Sequence, residues 1–128
     1  MILSLRKPER LCLRRSIDTL FSSGESFFVY PYKILWREVP AGAVPVAWLI
    51  SVPKKNLRKA VSRNLIRRRS REIYRKLKPS LVEILREQGR SVHLGMVYCA
   101  KQEMPTHALE PKIQKIIEEL ICRFKKRD

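Results

Sequence analysis

This chain of 128 residues is short of the groups from which hydrolytic sites are assembled. It has two histidines, His93 and His107, and three cysteines, Cys12, Cys99 and Cys122, widely separated and without a C-x-x-C spacing. Scattered thiols in odd number indicate neither a disulfide framework nor a zinc site, and they fit a reducing, cytosolic setting. Acids are few, twelve against twenty-eight Lys and Arg, and none stand in a D-x-D or E-x-x-H spacing. Only four glycines occur and no glycine-rich phosphate loop is present. With no nucleophile beside a base, no metal cluster and no paired carboxylates, bond-breaking chemistry by the protein alone is not expected. The two lone histidines read as structural. The longest mostly apolar run, 41–52, is interrupted by Pro45 and is too short to cross a bilayer. The Arg-rich first 21 residues have the composition of a mitochondrial transit peptide, but Glu9, Asp18 and the core-like helix that follows favour a structural reading, with no secretory signal.

What is there is charge. The formal net charge is +16 and the pI about 10.4, while a hydrophobic fraction of 45% supplies enough apolar surface for a folded core. The length suits one domain, 1–128. A surface this self-repelling calls for an anionic partner, nucleic acid first and an anionic membrane second. Residues 54–78 hold twelve of the cations against one acid, Glu72. On a helix, Arg63, Asn64, Arg67, Arg68, Arg71, Arg75 and Lys78 share an arc of roughly 140°, and Ile66, Ser70, Ile73 and Leu77 form a separate stripe about 110° away. The bland reading of such a run is a solvated helix face. Solvated helices, however, mix signs to gain i, i+4 pairs, and here arginine, whose planar fork suits phosphate, outnumbers lysine in the central part. A bZIP-type helix needs heptads after it and a helix-turn-helix needs a helix before it; neither is present, so structured RNA fits better than DNA.

In chain order, residues 1–15 read as a basic, extended arm broken by Pro8, with Leu11 and Leu13 pinning it to the body. Ser16 caps a short helix over 17–22, and Gly24 supplies a left-handed stop. A strand follows Pro31 over 32–39, with Tyr32, Ile34 and Trp36 on a core face and Lys33, Leu35 and Arg37 on the other. The apolar run 46–52 is a strand covered on both faces. The basic helix is capped by Asn56 and ended by Pro79. A short helix over 81–87, capped by Ser80 and closed by Gly89, leads to a strand over 92–100. A last helix carries Ile113, Ile116, Ile117, Leu120, Ile121 and Phe124 on one face. The result is a single-domain α/β arrangement, an α+β sandwich of one sheet with helices packed on it.

The residues Ile50-Ser51-Val52-Pro53-Lys54-Lys55, then Lys59-Ala60-Val61-Ser62-Arg63-Asn64, then Arg67-Arg68 and Arg71-Glu72, resemble the signature of the bacterial ribonuclease P protein family, S-V-x-K-K followed by A-V-x-R-N-R-x-K-R-x-x-R-E. Order of elements and length agree over nearly the whole chain. The resemblance implies a mixed sheet of about four strands with three main helices, like the second domain of ribosomal protein S5, with a left-handed crossover between parallel strands. It implies a bacterial, cytoplasmic accessory subunit of an endoribonuclease, with no catalytic residue of its own. In such an enzyme the RNA subunit and its Mg²⁺ remove the 5′ leader of precursor tRNA, and the protein alone binds no cofactor. Arg63, Asn64, Arg67, Arg68, Arg71 and Arg75 would contact the catalytic RNA, with Lys54, Lys55, Arg58 and Lys59 beside them. Ile17, Phe21, Lys33, Leu35 and Arg37 would line a cleft for the leader, where Phe21 is either a stacking platform or ordinary core. Three departures stand out. Leu65 replaces the second arginine of R-N-R, which Arg69 offsets at an angle about 40° away; Arg69 and Ser70 replace residues usually apolar; and Leu49 replaces a small residue. The alternative is a structural RNA-binding protein of the ribosomal type, with no role in processing.

Overall fold

Two unequal layers of helix cover the two faces of one sheet. The computed structural model describes residues 14–42 and 44–126, so most of the expected N-terminal arm lies outside the described residues. In order the elements are α1 (Arg14–Ser23), β1 (Glu25–Val29), β2 (Tyr32–Val39), β3 (Val46–Ser51), α2 (Ala60–Gln88), β4 (Ser91–Tyr98) and α3 (Thr106–Lys126). The sheet runs β1-β2-β4-β3, antiparallel except for the parallel β3–β4 pair that α2 connects. This is the expected α+β domain of three helices and a mixed sheet of four strands.

Strand alternation places Tyr32, Ile34 and Trp36 of β2 beside Leu94 and Met96 of β4 and Trp48 of β3, all buried in the main core with α2 and α3. The α3 stripe of Ile113, Ile116, Ile117, Leu120 and Phe124 is buried there, with Ile121 at its margin. The opposite face carries a small second core, Leu20 of α1 on Leu35 and Ala47, with Ile17, Leu49 and Val97 around it. Leu20 rests on Gly95, where any Cβ would meet its Cδ2 at 3.0 Å, so α1 sits close to the sheet.

Several local expectations give way to tertiary packing. Ser16 lies inside α1, not at its cap, because Arg14 and Arg15 before it are already helical. Gly24 is not left-handed; it is required because a Cβ would fall 2.5 Å from the Leu20 carbonyl oxygen and 3.1 Å from that of Trp36. β1 precedes the expected first strand: Pro31 occupies the turn between β1 and β2, where its missing N–H costs no ladder bond. β3 is an edge strand, so Leu49 and Ile50 are only half-buried.

Pro79 does not end the basic helix, and the separate helix capped by Ser80 does not exist: α2 runs unbroken to Gln88. An internal proline costs about 3 kcal/mol. Leu81 and Leu85, both essentially fully buried beyond it, each return about 1.5–3 kcal/mol, so continuing the helix wins. Gly89 then closes it in the left-handed region at φ 65°, its N–H on the Arg86 carbonyl and that of Arg90 on Leu85. Arg90 in turn ties the helix end to the sheet, donating to Glu38 and Gln88 at 2.8 Å each.

Ser70, polar where an apolar residue is usual, faces the core at zero exposure and shares a 2.6 Å hydrogen bond with the Tyr32 hydroxyl. Burial pushes the Tyr32 hydroxyl far above its ordinary pKa, so it stays protonated. Tyr32→Phe should strand the Ser70 hydroxyl and lower the unfolding free energy by about 1–3 kcal/mol, with Tyr32→Phe/Ser70→Ala losing less than the two single changes together. A denaturant-unfolding cycle checks this; strictly additive losses would mean that the two hydroxyls act independently.

Candidate nucleic-acid interface

The burial of α2 decides where its cations point. Ile66, Ser70, Ile73, Tyr74, Leu81 and Leu85 face the core, and the Tyr74 ring stacks on Trp48 at 4.5 Å and 5° between planes. With that stripe inward, Asn64, Arg68, Arg71 and Lys76 are exposed. Arg68 and Arg71 form no hydrogen bond or ion pair with the described residues, leaving their guanidiniums to solvent. Lys78 departs from the expected face: it is only 4% exposed, because the buried stripe shifts around the helix as the chain passes Pro79.

Four other arginines of α2, Arg63, Arg67, Arg69 and Arg75, are engaged. Arg67 donates through Nη1 to Asn64 Oδ1 at 3.0 Å, so the asparagine fixes the direction of that fork. Arg75 pairs with Glu72 at 2.9 Å, and its hydrogen bond and charge, helped by Arg71 and Lys76, hold the Glu72 carboxyl below the usual carboxylate range. Arg69 donates to the Met104 carbonyl at 2.7 Å and braces the β4–α3 loop, so it does not offset Leu65 as expected. Arg63 is half-buried and donates to the carbonyls of Leu57 and Arg58.

Ahead of the helix, Leu57 anchors a loop in the core while Lys54, Lys55, Arg58 and Lys59 stand exposed. Asn56 does not cap α2; its Nδ2 donates to the Tyr98 carbonyl at 3.0 Å, tying the loop to the end of β4. The helix N-cap residue is Lys59, without a side-chain cap. The loop joins the end of β3 to the start of α2, so its exposed cations lead directly in the chain into the arginine-bearing helix.

On the α1 side of the sheet lies a second feature. Phe28 of β1 pairs in register with Lys33 of β2, which pairs with Val97 of β4, so the three side chains share that face. Phe28 and Tyr30 are more than half exposed, their rings 6.3 Å apart, and Phe21 of α1 is 45% exposed. Phe21 is therefore not ordinary core. Lys33 is exposed and Arg37 half-buried on the same face, while Ile17 is half-buried and Leu35 lies covered beneath Leu20, supporting this surface without lining it. A strand beginning only after Pro31 leaves Phe28 and Tyr30 without a role; the aromatic run 27–30 is the sequence signal for them. Exposed aromatic faces with lysine beside them are suited to stacking bases and following a backbone.

Among the described residues no three His, Cys, Asp or Glu side chains come together as metal ligands. His93, beside Arg37 in register, has Nδ1 buried without a hydrogen bond, and burial together with the Arg37 charge lowers its pKa, favouring neutral imidazole. No helix among the described residues is long and apolar enough to cross a membrane.

This chain is similar to proteins already known. The sequence model of the family Ribonuclease P matches residues 5–123. A ribonuclease P protein component of Porphyromonas gingivalis W83 is 42% identical over 112 residues, covering 87% of this chain and 82% of that protein. One from Chlorobium phaeobacteroides is 38% identical over 97 residues, 73% of this chain and 66% of that protein. Among solved structures, the Staphylococcus aureus RNase P protein superposes with a TM-score of 0.70 at 19% identity, covering 86% of this chain and 93% of that one.

Proposed function

Because this chain belongs to the ribonuclease P protein family, the protein component of a ribonucleoprotein that processes tRNA, we propose that its two surfaces divide two RNA partners between them. The arginine face of α2 and the cationic loop before it bind the RNA subunit. The surface between α1 and the sheet holds the single-stranded 5′ leader of precursor tRNA. The observation that carries the first assignment is the exposure of Arg68 and Arg71 on a helix whose opposite side is buried. Lys54, Lys55, Arg58, Lys59 and Asn64 extend that contact, with Arg67 oriented by Asn64 and Arg75 contributing less because Glu72 already neutralises part of its charge. For the leader, Phe21, Phe28 and Tyr30 offer rings to bases, and Lys33 and Arg37 lie along the same face to meet phosphates.

Leader hydrolysis is the work of the RNA subunit and the Mg²⁺ it uses. Within the basic stretch 54–78 the one acid, Glu72, is paired with Arg75, so it is not a free ligand for Mg²⁺ there. The protein's contribution is electrostatic and positional, neutralising phosphates that the folded RNA and its substrate bring together. The working compartment is the bacterial cytoplasm. A purely ribosomal role is not favoured, since the match extends over residues 5–123 of this chain.

Binding to the RNA subunit should weaken in Arg71→Ala, with the slope of log K against log salt falling by about 1. Arg69→Ala, which removes the Met104 contact, should leave the slope unchanged. Equal slopes for wild type and Arg71→Ala would remove Arg71 from the contact.

Reconstitution with the RNA subunit at low Mg²⁺ tests the whole assignment: added protein should promote cleavage of leader-bearing precursor. Phe28→Ala should weaken binding of that precursor by about tenfold or more, the scale of one lost base stack, while leaving mature tRNA unaffected. An equal loss for both RNAs would place Phe28 away from the leader.

A further inference from the structure

The first arginine of the signature does not face outward as Arg68 and Arg71 do. Arg63 turns back toward the loop that precedes its helix, and Nη1 donates to two successive carbonyls, Leu57 at 3.0 Å and Arg58 at 2.7 Å. The same loop is held elsewhere as well. The Pro53 carbonyl accepts the N–H groups of Asn56 and Leu57 at 3.1 and 3.2 Å. Asn56 Nδ2 donates to the Tyr98 carbonyl at 3.0 Å, and the Leu57 side chain is 6% exposed in the main core. Between and beside these anchors Lys54, Lys55, Arg58 and Lys59 are all exposed. The helix start has no side-chain cap, so the Arg63 fork, beside the Arg63 N–H on the Lys59 carbonyl at 3.1 Å, couples the first turn of α2 to the final residues of the loop.

We propose that Arg63 is a positioning residue: it fixes the backbone at Leu57 and Arg58, so that the cations of the loop are presented to RNA in one arrangement before binding. This rests on the RNA-binding reading of the basic helix and its loop and deepens it. Four flexible cations would still attract a polyanion, but each would have to be ordered on contact; a loop already ordered by Arg63, Asn56 and Leu57 avoids that entropic loss. The guanidinium geometry suits the role, because two N–H bonds on one nitrogen point to two acceptors, and the half-buried setting strengthens a charge-assisted bond to a carbonyl.

Affinity for the RNA subunit is measured for wild type, Arg63→Ala, the loop variant Lys54→Ala/Lys55→Ala/Arg58→Ala/Lys59→Ala, and the two combined. Arg63→Ala should weaken binding about tenfold when the loop is intact but less than twofold when its cations are gone, because a positioning residue has nothing left to position. Amide exchange at residues 57–59 of the free protein should speed up in Arg63→Ala. A phosphate contact by Arg63 predicts the opposite: the same loss in both backgrounds, a salt slope lower by about 1, and unchanged exchange. Any of these would overturn the proposal, as would an intact-loop affinity that Arg63→Ala leaves unchanged. Arg63→Lys keeps the charge and serves if the alanine variant does not fold: a phosphate contact retains affinity, whereas positioning loses it, since the lysine side chain ends one bond short of Nη1 and its rotating ammonium lacks the fixed planar direction of the guanidinium. Arg71→Ala, run in parallel, tests the underlying reading separately; if it too binds like wild type, the basic face itself is wrongly assigned.

Discussion

The rest of the structure depends on how one side of α2 is seated on the sheet. Ile66, Ser70, Ile73, Tyr74, Leu81 and Leu85 form a buried seam along 29 residues of helix, and two contacts set its rotation: the Tyr74 ring stacked on Trp48 and the Ser70 hydroxyl bonded to Tyr32. A stripe of leucines alone would tolerate some roll about the helix axis. A flat ring stack and a directional hydrogen bond do not, so the exposed arginines acquire a defined direction.

That seat has to work against the charge it displays. Neighbouring cations along an exposed helix repel by about 1 kcal/mol or less per close pair in water, and 0.15 M salt weakens this further. The loss is spread over many pairs, whereas burial of the seam gathers several side chains at about 1.5–3 kcal/mol each. The helix therefore holds its shape unaided. A polyanion lying along the face then gains from charges that the fold has already brought together, with counterion release adding to the affinity.

Much of this was legible in the sequence, and the failures share a cause. The basic helix, its inward stripe at Ile66, Ser70 and Ile73, the core face of β2 and the apolar stripe of α3 follow from periodicity, which is set by the same packing that buries them. Pro79 misled because a local rule was allowed to end a stripe that continues at Leu81 and Leu85. Pro31 hid β1, and with it Phe28 and Tyr30, because a residue that cannot join a ladder is equally at home in the turn between two strands. Gly24 after a helix suggests a left-handed stop, but its real constraint is the close Leu20 carbonyl. Lys78 was misplaced because an ideal 100° step does not follow the drift of a long helix over its sheet. Residue type makes Asn56 a helix cap and the signature makes Arg63 an RNA contact, yet their hydrogen bonds run to Tyr98, Leu57 and Arg58, partners that only the folded chain brings within reach.

The central claim is that RNA covers the side of α2 turned away from the sheet. Arginine-selective modification read by mass spectrometry, with and without the RNA subunit, tests it directly. The account predicts strong protection of Arg68 and Arg71 on binding, with Arg86 near the far end of α2 and Arg123 on α3 modified as in the free protein. Protection of Arg86 and Arg123 with Arg68 and Arg71 left reactive would contradict it.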